Sequence, residues 1–351
     1  MNNTALFHVD KILLLRPMIM IANSLAKDYG FKCMILRTGL VKDVINHLIN
    51  HNGACSIVCT ESAKYVCNQS GIPESYLDNI SFVSEDMFAR EALNCRGFFT
   101  INNNLAKFKI NKKTKIFNVP YYRKPNFPPD ISVTNSDGSG QYFRIVGWPR
   151  HDMFKTNTLK RSKKKKIVLL HSGGGRNFFY TTKDIKSKNL KLMASRQLKF
   201  FKDIRDRLDD WTLFIKTHPL PKYGSDPNYT NSLVDIFYPY IRIFNGFLFD
   251  CIHDANHIFS PGGSNLVDLM FTNKRFSVTG FNFTNEGARS QWAKSHMGLG
   301  DVYHSNYEDF LKCIENKDFP DYGDNNRFFP WIYERDGLAT QRCCEFIIEH
   351  L

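Results

Sequence analysis

"HIFSPGGSNLVDLMF", residues 257–271, runs from a short apolar stretch through a proline and two glycines into an amphipathic pattern. The four residues before Pro261 read as a strand, and Leu266, Val267, Leu269 and Met270 recur at helical spacing. A strand that turns this abruptly into a helix is the repeating step of a parallel α/β sheet. A helix start offers unpaired backbone N–H groups and a positive dipole end, so such a turn can hold an anion. It can equally be a plain connection capped by Ser264 or Asn265, since both residue types are good N-caps.

The same step repeats on either side. "KIVLLHS" (166–172) reads as a strand and "SGGGRN" (172–177) as a glycine-rich turn. "ASRQLKFFKDIRDRL" (194–208) is an amphipathic helix, and "WTLFIKTHP" (211–219) is a strand ending in His-Pro. "IRIF" and "RFSVTG" add strands, and "GFLFDCIHDA" a helix. Strands alternating with helices predict a parallel, doubly wound sheet, whose functional residues sit in the loops at the carboxyl ends of the strands. Residues 172–177, 217–219 and 260–265 all leave such ends. In the first half, "KILLL" (11–15) predicts a strand, followed by a helix from about Met18 to Tyr29 closed by Gly30, and "KCMILRT" a second strand. "CSIVCT" (55–60), "RGFFTI" (96–101) and "TKIFNVP" (114–120) read as further strands. Prolines at 120, 125, 128 and 129, then "TNSDGSG", read as loop and as a domain boundary zone.

At 351 residues there is room for two domains, and 42% hydrophobic with 23% charged residues is a globular composition. The net charge of +13 admits nucleic acid, an anionic membrane surface or an anionic substrate. No helix-turn-helix, zinc-finger, RRM or KH signature accompanies it, which speaks against nucleic acid. The densest basic run, Arg161 to Lys166, is a solvated linker or a contact with an anionic membrane. The nine cysteines are odd in number and lack paired CxxC spacing, so they read as reduced thiols. No metal-ligand pattern is evident. "KILLLRPMIMIANSLA" is broken by Arg16-Pro17 and lacks the length of a membrane span. The expected location is cytoplasmic, with peripheral attachment at the inner membrane face.

"GWPRHDMF" (147–154), "FIKTHP" (214–219) and "SPGGSNLVD" (260–268) occur in this order, and the set resembles the CDP-glycerol glycerophosphotransferase superfamily of teichoic acid and capsule polysaccharide synthesis. The His-Pro motif and the following serine motif are also similar to those of bacterial sialyl- and polysialyltransferases. The resemblance covers residues 145–285 and implies an α/β fold of GT-B type, two Rossmann-like domains with parallel sheets facing a central cleft. The expected division is residues 1–145 on the acceptor side, 146–330 on the nucleotide-donor side, and a C-terminal helix in 331–351 packing back on the first domain.

A nucleotide-activated donor carries phosphates whose charge grows as the bond to the leaving group breaks, and preset donors stabilise that charge. The resemblance gives His218 the role of such a donor. Lys216, two residues earlier on the strand, shares its face and adds charge. Ser264 matches the second serine of the family's Ser-Ser turn. Gly263 stands where the first would be, with Asn265 as a substitute donor. Asp268 matches the family's helix acid, for ribose hydroxyls or for orienting the turn. Gly174 and Arg176 in "SGGGRN" suit a phosphate, and no Walker or dinucleotide fingerprint is present.

The family's Trp-His-Gly segment in the first domain has no histidine counterpart: the place reads "KIFNVPYYRK" (115–124). Asp137 in "NSDGSG" resembles the acid of the sialyltransferase motif and is the alternative catalytic group, although Asp-Gly in such a stretch is also a plain turn. His8, Asp10, Glu85 and Asp86 are further acid or base candidates without a motif. The expectation is a metal-independent transferase without a cofactor. It would move a sugar or polyol phosphate from a CMP- or CDP-linked donor to a surface polysaccharide or glycolipid. A nucleotide-sugar epimerase or hydrolase on the same scaffold, and a non-catalytic polyanion binder, are the alternatives.

Overall fold

The structure is a computed structural model. It describes residues 2–9, 14–37, 55–100, 108–120, 129–156, 166–170, 202–207, 211–216, 242–243, 251–252, 255–260, 265–272, 275–279, 299–304, 306–316 and 328–351. These form two compact units, Met1–Asn157 with Arg327–Leu351, and Thr158–Asn326.

In the first unit the opening strand is β1, Asn2–Val9. Of "KILLL" the structure describes Leu14 and Leu15, and Leu15 opens helix α1, Leu15–Tyr29, with Pro17 in its first turn. A proline there gives up an N–H that has no partner at a helix start, so Arg16-Pro17 marks a helix beginning and pushes the strand upstream. Leu15, Met18, Ile19, Ala22 and Leu25 form the buried stripe of α1, and Gly30 ends it in the left-handed region at φ 69°. Strand β2 is Lys32–Arg37.

"CSIVCT" lies in helix α2, Cys55–Ser70, rather than in a strand. A short apolar run fits either element. Here Ala63, Val66 and Cys67, buried at i, i+3 and i+4, carry the helical period onward. Strand β3 (Ile80–Phe82), helix α3 (Glu85–Ala92), strand β4 (Cys95–Thr100) and strand β5 (Lys115–Asn118) follow. Ser84 caps α3, its hydroxyl accepting from the Met87 N–H at 3.4 Å.

The stretch read as irregular contains a hairpin, β6 (Asp130–Asn135) and β7 (Tyr142–Ile145), with "SDGSG" as its turn. The sheet order is β3-β2-β1-β4-β5-β6-β7, parallel through β5 and antiparallel beyond. Phe7, Phe99 and Phe117 stack across one face, at 4.4 and 4.9 Å between centroids. Leu6, Met34, Leu36, Phe88, Phe98 and Phe108 pack on the other.

Two short helices, α4 (Asp152–Thr156) and α7 (Phe329–Ile332), and the closing helix α8 (Ala339–His350) complete this unit. Between α4 and α7 the chain forms the second unit, with strands β8 (Lys166–Leu170), β9 (Thr212–Lys216), β10 (Arg242–Ile243), β11 (His257–Ser260), β12 (Phe276–Thr279) and β13 (Tyr303–His304). Its described helices include α5 (Asn265–Thr272) and α6 (Tyr307–Glu315). The order β10-β9-β8-β11-β12-β13, parallel throughout, is the doubly wound arrangement with its reversal between β8 and β11.

Candidate functional site

Strands β9, β8 and β11 are neighbours in the second sheet and point the same way. Lys216, Leu170 and Ser260 therefore close three adjacent strands at one edge, on either side of the reversal where open α/β sheets take their ligands. The three segments singled out in the sequence begin there. Gly174, Arg176, His218, Gly263 and Ser264 themselves lie outside the described residues, as does the run Arg161 to Lys165.

The described parts of this edge are tightly built. β11 is buried along its length, as are Leu266, Val267, Leu269 and Met270 of α5. The Asn265 side-chain amide donates to the Ser260 hydroxyl at 3.1 Å, tying the first residue of α5 to the last of β11. Asn265 thus spends a donor on its own strand. Asp268 is buried at 3% exposure in the first turn of α5, which excludes a solvated helix face for it. An acid there complements the positive end of the helix dipole. Lys216 is half-buried at the end of β9.

Asp137 occupies a different place. It sits in the β6–β7 turn, its carboxylate accepting from the Ser139 N–H at 2.9 Å and the Ser139 hydroxyl at 2.6 Å. Those two hydrogen bonds, the hydroxyl's foremost, hold its carboxyl below the usual carboxylate range. β6 runs antiparallel to β5, with Asn135 beside Lys115, so the turn lies at the amino edge of the parallel strands. Ligand sites of such sheets lie at the opposite edge, and Asp137 serves the turn. At the carboxyl edge of this first sheet stand His8, Arg37 and Thr100, all buried, with the Arg37 guanidinium donating to the Ser62 hydroxyl at 3.3 Å. His8 is packed against the rings of Phe88, Phe98 and Phe108. Asp10 lies outside the described residues. Glu85 and Asp86 open α3, where acids suit the helix dipole.

"GWPRHDMF" has an architectural role that its residue types alone do not disclose. The Asp152 carboxylate accepts from the Ala339 N–H at 3.0 Å and the Thr340 N–H at 2.7 Å, capping α8 from 187 residues away in sequence. The Trp148 indole donates to the Trp331 carbonyl at 2.7 Å, and Arg342 donates to the Val146 carbonyl at 2.8 Å. The order of apolar and polar residues around α8 does predict a helix, but its cap is non-local and leaves no sequence signal.

Two Rossmann-like α/β units in one chain define the GT-B class, and solved structures agree. The wall teichoic acid polymerase TagF matches at TM-score 0.52 and 9% identity, covering 99% of this chain and 88% of that one. A variant of TagF matches at TM-score 0.53 and 10% identity over the same shares. A UDP-N-acetylglucosamine 2-epimerase from Listeria monocytogenes matches at TM-score 0.45 and 10% identity, covering 100% of this chain and 97% of that one, a likeness too loose to argue from. No protein-family model and no curated protein matches the chain. The TagF likeness shows the fold: this chain has a GT-B fold. Among the described residues no helix is long and apolar enough to cross a membrane.

Proposed function

We propose that this chain transfers a sugar or polyol phosphate from a CMP- or CDP-linked donor to a surface polysaccharide or glycolipid acceptor. The observation that carries the reading is the adjacency of β9, β8 and β11, which starts the His218, Arg176 and Ser264 segments from one sheet edge at the topological switch point. Backbone N–H groups at the start of α5 receive the donor phosphates, Ser264 adds a hydroxyl, and Gly174 and Gly263 leave room for close approach. His218 donates to the leaving phosphate, while Lys216 and Arg176 contribute positive charge. Asp268 orients the turn or meets the ribose. A TagF structure of the same fold was determined after a soak with CDPG, a ligand of the class proposed. No step of this transfer requires a metal, and no nucleic acid takes part. Arg161 to Lys166 rest on the anionic inner membrane surface where a lipid-linked acceptor resides.

The test is a thermal-shift series with CMP, CDP, UDP and GDP, followed by donor turnover. A ligand at one hundred times its dissociation constant stabilises by about 2.7 kcal/mol, so one cytidine nucleotide should stand out. His218→Ala should melt like the parent chain and lose about 2.7–4 kcal/mol of transition-state stabilisation. A chain that responds to none of the four nucleotides would overturn the reading. A folded His218→Ala variant with full turnover would remove His218 from it.

A further inference from the structure

Among the described residues β7 is the last strand of the first sheet, and three of its side chains are exposed: Phe143 69%, Tyr142 60% and Ile145 36%. Sheet edges are ordinarily guarded against pairing by lysine, proline or a bulge. β7, Tyr-Phe-Arg-Ile, has no lysine and no proline. Its one cation is drawn away, the Arg144 guanidinium making two hydrogen bonds with the Glu349 carboxylate at 3.1 and 2.6 Å and lying 5.3 Å from the Phe346 ring centre. The edge therefore carries large side chains on both faces and no unneutralised charge.

The register fixes which backbone groups point outward. Val146 N–H donates to the Pro129 carbonyl at 3.0 Å, and β6 pairs Ile131 with Arg144 and Val133 with Tyr142. Hydrogen-bonded pairs alternate along an antiparallel ladder, so Tyr142, Arg144 and Val146 turn their N–H and C=O groups to β6. Phe143 and Ile145 turn theirs to the free side, and Gln141 continues the alternation.

We propose that this edge pairs with the same edge of a second copy of the chain, the two β7 strands running antiparallel about a twofold axis at Phe143. Directly opposed residues of two paired strands share a face, so the axis must pass through a residue. An axis at Arg144 pairs Phe143 with Ile145 twice and leaves Gln141 out, for roughly four hydrogen bonds. An axis at Tyr142 shortens the ladder. The axis at Phe143 sets Phe143 against Phe143 and Gln141 against Ile145 twice, using every outward group for roughly six hydrogen bonds. It also sets Tyr142 of each copy opposite Arg144 of the other, ring beside aliphatic stem. A four-residue strand buries little area, which places the association in the transient class and makes it concentration-dependent.

The full chain is measured by sedimentation over a concentration series, with Phe143→Lys beside it and a thermal melt of each. The expected result is a wild-type mass rising toward that of two chains and a Phe143→Lys chain that melts normally and stays at one. Mild oxidation of Phe143→Cys should yield a disulfide-linked dimer, since hydrogen-bonded partners lie about 5.5 Å apart at Cα, within disulfide reach. Ile145→Cys, several residues from its counterpart, should not, and the wild-type chain controls for its own thiols. A wild type that stays at one chain throughout, an association untouched by Phe143→Lys, or cross-linking at residue 145 instead of 143 would each overturn the proposal.

Discussion

His257 shows how one side chain can set a pH response. Its ring is fully buried, with Nε2 3.0 Å from the Ser277 hydroxyl. Burial first, then the nearby His304 and Arg275, push its pKa down to about 3 from 6.5. His304, whose ring lies 5.5 Å from that of Phe310, is itself lowered by burial, against an opposing pull from Asp309. An unfolded histidine takes up a proton below about pH 6.5, and the folded chain refuses it. The unfolded state then binds more protons, so stability is full above that pH and falls as the pH drops toward 3. The slope is up to about 1.4 kcal/mol per pH unit for this one group. His257→Gln, which keeps a partner for Ser277 and does not titrate, should flatten the fall in the urea midpoint between about pH 7 and pH 5. An identical pH profile for variant and parent would show that His257 is not the responsible group. At this scale the sequence was least informative. Asp137 fitted both a catalytic motif and a turn, and only the strand direction beside it separates the two. The burial of Asp268 depends on packing around α5, which a helical spacing cannot convey.

Elements were legible where local chemistry agreed with the fold. Gly30 closes α1 where a left-handed residue is required, and the second-half strands lie where their apolar runs predict. The end of "KILLL" and all of "CSIVCT" lie in helices, because short apolar runs satisfy both periods and flanking context decides. The β6–β7 hairpin was hidden by the prolines before it and by turn residues that also suit a linker. What no local rule exposes is the junction between β7 and α8. Gly147 lies there at φ +86°, and a Cβ on it would meet the Ala339 Cβ and an Arg342 guanidinium nitrogen, each at 3.2 Å. Gly147→Ala should therefore combine backbone strain with crowding, at a cost on the order of 1–3 kcal/mol. Asp152→Ala should cost about 1 kcal/mol through the lost cap of α8. Lowered melting temperatures for both variants are expected. An unchanged Gly147→Ala melt would mean that α8 shifts freely to make room.

For the whole molecule, the chain leaves the first unit after Asn157, forms the second, and returns at Arg327. The returning segment is part of the first unit's core rather than an appendage. Cys343, Cys344, Phe346 and Ile347 of α8 are buried, and the Cys344 thiol sits 3.9 Å from the Ile21 carbonyl of α1. Fully burying side chains of this kind contributes about 1.5–3 kcal/mol for each large one. Exposing the α1 surface beneath them would cost an amount comparable to the 5–15 kcal/mol by which a domain is ordinarily stable. Cutting the chain after Asp336 should thus unfold the first unit while leaving the second, whose six-stranded sheet contains no residue from that segment. Hydrogen exchange on the truncated chain should show β1, β2 and β4 exchanging rapidly and β8, β11 and β12 still protected. Nucleotide-induced protection of β11 and α5 should survive in that chain if the donor phosphates bind within the second unit alone. Protection retained in β1 would mean that the first sheet holds without α8, and loss of protection in both sheets would mean that the two units fold as one.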